Sequence, residues 1–124
     1  MPHYTRILSV GRDHYLLSLR SMVLESAGFD LIEAYSVADA LRLAQSDAVD
    51  LVLICHSVPK PEQKRLIAAI RERRRLMPVL CVIAHDFAMA ADSCTLTDSA
   101  PQLLLDALHR ALVNYSSYRP NLAA

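Results

Sequence analysis

Asp50-Leu51-Val52-Leu53-Ile54 places four aliphatic residues in a row behind one acid, and Cys55 follows. A strand with one face in water would alternate apolar and polar residues. This run does not, so it reads as a central strand covered on both faces. Upstream, Ile7-Leu8-Ser9-Val10 is a second short apolar run, within a strand expected over 5–10. Asp13 can cap the helix after it, where Leu16, Leu19, Val23, Leu24 and Ala27 recur at helical spacing. Gly28 suits the end of that helix, because a left-handed backbone there carries no Cβ clash. Phe29 to Tyr35 is a more polar strand, suited to a sheet edge. Ser36 then caps a helix whose inner stripe is Val37, Ala40, Leu41 and Ala44.

Downstream, Val58-Pro59-Lys60-Pro61 forms a stiff loop, and Pro61 suits the first turn of a helix running to about Leu76. Leu66, Ile67 and Ile70 supply its inner face. Arg71, Arg73, Arg74 and Arg75 crowd its last turns, where cations complement the helix dipole and face water. Pro78 opens a fourth strand, from Val79 to Ala84. A fifth, short strand is expected from Cys94 to Thr97, and Asp98 or Ser99 caps a last helix lined by Leu104, Leu108, Ala111, Leu112 and Tyr115. Strands alternating with helices, with no polar alternation in the central ones, imply an α/β fold. Its parallel sheet carries helices on both faces. One domain is expected over 1–115, with a tail over 116–124.

Composition narrows the function classes. The chain has 124 residues, 53% hydrophobic and 21% charged, enough for one core. A net charge of +0 gives no overall field toward nucleic acid or anionic lipid. Two glycines leave no room for a Gly-rich phosphate loop. Charges interrupt every apolar run before it could span a bilayer, and the first residues lack a signal-peptide shape. Cys55, Cys81 and Cys94 lie in or beside apolar strands. An odd set of such residues reads as reduced thiols in a cytoplasm. No nucleophile elbow or Ser–His–Asp spacing suggests an enzyme.

Taken together, several stretches resemble the receiver domain of two-component response regulators. These are Ile7-Leu8-Ser9-Val10 with a helix ending at Ala27-Gly28-Phe29, Ala38-Asp39-Ala40-Leu41, Asp50 to Ile54 followed by Pro59, and Pro78-Val79-Leu80-Cys81-Val82. The resemblance covers about residues 5–115. It implies a flavodoxin-like (CheY-like) three-layer sandwich, with a five-stranded parallel sheet in the order 2-1-3-4-5 and a signalling role. It also implies a reaction centre, and every part of that centre is replaced here. Gly11 and Arg12 stand where an acidic pair would hold magnesium. Cys55 stands at the phosphate-accepting aspartate, Ile83 at the Ser or Thr that touches the phosphoryl group, and Thr97-Asp98 where a lysine belongs. Magnesium requires several hard oxygen ligands, which Gly-Arg and a thiol do not supply. No metal, cofactor or aspartyl phosphorylation is therefore expected.

A second departure is length. His85 to Ser93 is nine residues, about 2.5 helical turns at most. The fourth helix of such domains is expected to be shortened or missing. Val79, Cys81, Ile83, Phe87 and Met89 would then offer an apolar surface to a protein partner or a second copy of the chain.

Other residues at the strand ends carry alternatives. His14, Cys55, His56, His85 and Asp86 combine imidazole and thiol, which suit zinc, but their spacing matches no metal motif. The preferred reading is a small buried cysteine beside loop histidines. A metal- or thiol-dependent sensor at Cys55, His56 and His85, the thiolate stabilised by Arg12, is the competing hypothesis. The Arg71 to Arg75 run lacks interleaved aromatics and is not expected to bind nucleic acid.

Overall fold

The computed structural model describes residues 5–45, 48–82, 95–97 and 101–117. Five parallel strands form one sheet in the order β2-β1-β3-β4-β5. They are β1 (Arg6–Val10), β2 (Asp30–Ala34), β3 (Leu51–Ile54), β4 (Val79–Val82) and β5 (Thr95–Thr97). Four helices connect or follow them among the described residues: α1 (His14–Ser26), α2 (Val37–Ala44), α3 (Lys60–Arg73) and α4 (Pro101–Ser117). This is a flavodoxin-like α/β architecture. The chain order brings the carboxyl ends of β1 and β3 side by side, with Val10 in register with Ile54 and with Ala34.

Local chemistry explains the boundaries. Asp13 caps α1 by accepting from the N–H groups of Tyr15 and Leu16. Gly28 sits past its end at φ 97°, a conformation open to glycine at little cost. Ser36 caps α2 by accepting from Asp39 N–H at 3.1 Å. Ser36→Ala is expected to cost about 1 kcal/mol, read as a lower urea midpoint at unchanged slope. Pro61 occupies the first turn of α3.

Two apolar layers cover the sheet. On one face Leu8, Val10, Val52, Ile54, Val79 and Cys81 pack with Ala40 and Ala44 of α2 and Leu66, Ile67 and Ile70 of α3. On the other, Ile7, Leu51, Leu53, Leu80 and Val82 pack with Leu24 of α1 and Leu104 and Leu108 of α4. All four residues of β3 are buried, which is why its sequence shows no alternation.

Several expectations are corrected. The buried positions of α1 are Leu17, Ser21 and Leu24, whereas Leu19 is 43% exposed. The stripe is rotated, and its polar members hide it: Ser21 donates to Glu33 of β2 at 2.6 Å. The helix expected to reach Leu76 ends at Arg73. Two of the arginines near its end brace the backbone in addition to meeting water. Arg74 donates to Val49 O at 2.7 Å, and Arg71 donates to Arg75 O and Met77 O. Arg74→Ala is expected to lower stability by about 1 to 2 kcal/mol, seen in thermal unfolding, because a buried strand-entry carbonyl loses a charged donor. Val79 and Cys81 are 3% and 2% exposed, so they form no open apolar surface; they belong to the apolar layer that also holds Leu66, Ile67 and Ile70 of α3. Ile83, Phe87 and Met89, and with them the shortened fourth helix, fall outside the described residues, as do the cap at Asp98 or Ser99. The last helix extends to Ser117, past the expected domain end at 115.

Candidate functional site

The loops leaving β1 and β3 meet over the carboxyl edge of the sheet. Cys55 N–H donates to Val10 O at 2.7 Å, and Gly11 N–H to Ala34 O at 3.1 Å. Arg12 N–H donates to Ser57 Oγ at 3.0 Å, which ties the two loops directly. Gly11 is enclosed. A Cβ placed there would lie 2.6 Å from Leu17 Cδ1, 2.9 Å from Cys55 Cβ and 3.2 Å from Ser57 Oγ. Position 11 therefore has no space for any side chain, acidic or otherwise.

Cys55 is 1% exposed. Arg20, from the inner side of α1, donates Nη1 to its Sγ at 3.1 Å, and His56 Nδ1 lies 3.9 Å away. Burial pushes the thiol pKa up and is the largest single influence. Hydrogen bonds from the Ser57 backbone and hydroxyl, with the Arg20 guanidinium, together outweigh it and leave the thiol below its ordinary 9.0. The sign of the pH dependence follows. A lowered thiol pKa stabilises the fold above the unfolded value, and that stability is lost as pH falls through the folded pKa. Cys55→Ser is therefore expected to flatten the rise in stability as pH climbs toward the thiol's ordinary 9.0, as measured by urea unfolding.

The arginine expected at this sulfur, Arg12, is elsewhere. Its Nη2 donates to both oxygens of Glu62, at 2.5 and 2.6 Å, across to the first turn of α3. Arg20 was missed because an arginine four residues before a helical leucine looks like a solvated position. Only the rotated stripe of α1 reveals it.

Magnesium does not fit these residues. Gly11 offers no ligand and no room for one. Asp13 Oδ1 is taken by the α1 cap, Glu62 is paired with Arg12, and Cys55, just past the end of β3, is a sulfur beside a cation. No group of three or more His, Cys, Asp or Glu side chains able to hold a metal ion occurs among the described residues. His14 is drawn away from the cysteine and stacks on Tyr35, ring centroids 3.8 Å apart. Thr97 ends β5 beside Val82, while His85, Asp86 and Asp98 lie outside the described residues. No described helix is long and apolar enough to cross a membrane.

Known proteins bear on this arrangement. No family profile matches the chain. It is 27% identical over 81 residues to the alkaline phosphatase synthesis transcriptional regulatory protein PhoP of Bacillus subtilis, covering 65% of this chain and 34% of that one. It is 33% identical over 79 residues to the transcriptional regulatory protein GlrR of Escherichia coli, covering 64% and 18%. The chain thus spans about a third or less of these relatives. Among solved structures, a CheY-like response regulator receiver domain protein from Methanospirillum hungatei superposes with a TM-score of 0.78 at 21% identity, covering 93% of this chain and 98% of that one. The signal receiver domain of an HD domain-containing protein from Pseudomonas fluorescens gives 0.80 at 23%, covering 96% and 94%. The fold is that of receiver domains.

Proposed function

We propose that this domain works in two-component-type signalling through contact with a protein partner, without aspartyl phosphorylation. The receiver fold and the likeness to parts of two transcriptional regulators support the signalling role. One observation carries the finer reading: Cys55, the residue at the acceptor position, is a buried thiol held by Arg20, beside a glycine with no space for a metal-binding acid. An acyl phosphate needs a carboxylate at that point, and its formation needs a cation to gather the donor's oxygens. Neither is supplied. Incubation with acetyl phosphate and Mg²⁺ is expected to leave the intact mass unchanged. Gain of one phosphoryl group mapped near position 55 would refute the proposal.

The Arg20–Cys55 contact favours a second reading, thiol-dependent sensing at the same strand end. Arg20→Ala is expected to move the pH midpoint of Cys55 alkylation upward, since a cation that favours the thiolate is gone. An unchanged midpoint would remove the basis for it.

A further inference from the structure

Beside the Cys55 crevice, between the β1–α1 loop, the start of α2 and the first turns of α3, lies an open groove of about 590 Å³. That is within the range of small-molecule sites, roughly 300 to 1,000 Å³. Arg12, Arg65 and Glu62 stand in it, Val37 and Leu41 form an apolar wall, and Tyr35 and Ser36 complete the lining. We propose that this groove binds a small organic anion, a carboxylate or phosphate monoester carried on an apolar body.

Three observations support the proposal. The first is unspent donor capacity. Arg12 engages Glu62 through Nη2 alone, so among the described residues Nε and Nη1 have no partner, and exposed Arg65 has none either. A guanidinium with an open edge is suited to bidentate contact with carboxylate or phosphate. The second is charge. Two guanidiniums face one carboxylate, Glu62, which leaves an excess positive charge in the groove. Tyr35 adds no negative charge, because its hydroxyl donates to Glu33 at 2.6 Å and that contact raises its pKa. The third is shape. Val37 and Leu41 are only partly buried against the core, so an apolar body would cover surface that water now touches.

The inference does not depend on how the Cys55 position works, since none of the groove's residues is Cys55, Arg20 or Ser57. Phenyl phosphate titrated into ¹⁵N-labelled protein tests it, with benzyl alcohol as the uncharged control. Saturable shifts confined to amides around Arg12, Ser36, Val37 and Leu41 are expected with phenyl phosphate and not with benzyl alcohol. Arg65→Ala, which removes no hydrogen bond or ion pair among the described residues, is expected to weaken binding about tenfold, and raised salt to weaken it further. Shifts that fail to saturate, that benzyl alcohol reproduces, or that survive unchanged in Arg65→Ala would overturn the proposal.

Discussion

Gly11→Asp will lower the stability of the domain by about 3 kcal/mol, about 10 °C in the unfolding midpoint for a chain of this size. The cause is space. The first atom of any side chain at position 11 meets Leu17 Cδ1 at 2.6 Å and Cys55 Cβ at 2.9 Å. Leu17 is fully buried, so moving its Cδ1 disturbs the core around it, and Cys55 is pinned from β1 through its own N–H. Overpacking of a tight site costs about 1 to 3 kcal/mol by itself, and a carboxylate confined there adds to it. Thermal denaturation of Gly11→Ala and Gly11→Asp checks this. Both should be destabilised, the aspartate more. A neutral Gly11→Asp would mean that the loop can open to admit a side chain.

The second large effect concerns the last helix. Leu108 is fully buried against Leu24 of α1 and the sheet, with Leu104 one turn away. Leu108→Ala is expected to cost about 3 to 4 kcal/mol, the sum of lost transfer energy and the cavity left behind. On the same helix, Leu103 and Val113 are 52% and 64% exposed, and their replacement by alanine should change stability by less than about 0.5 kcal/mol. Chemical denaturation of the three variants separates these values. Equal effects would show that α4 is not docked as described.

Much of the fold was legible because several local signals agreed. The unbroken aliphatic run of β3, the caps at Asp13 and Ser36, and Gly28 at a positive φ each mark an element by a distinct physical cause. The site was legible in part. That the strand ends carry Gly11, Arg12 and Cys55 could be read directly. What holds Cys55 could not, because it depends on the rotation of α1. Apolar periodicity pointed to Leu16, Leu19, Val23, Leu24 and Ala27, of which Leu24 is buried; the rest of the buried face is Leu17 and Ser21, with the polar Ser21 masking the stripe and Arg20 beside it. Similarly, Arg74 resembled a solvated end-of-helix cation until the fold brought Val49 O within 2.7 Å. Val79 and Cys81 are buried in a layer assembled from several elements, which no spacing within β4 encodes. The groove around Arg12 and Arg65 is likewise a tertiary product, assembled from three separate segments.

With a thiol at Cys55 and no room at Gly11, the strand-end crevice would be unable to gather a divalent cation around an acidic acceptor. Calorimetric titration of the protein with beryllofluoride in excess Mg²⁺ addresses this most directly, since that pair mimics the phosphorylated state where one can form. No stoichiometric heat is expected. Tight uptake of one equivalent, abolished by Cys55→Ala, would contradict the account.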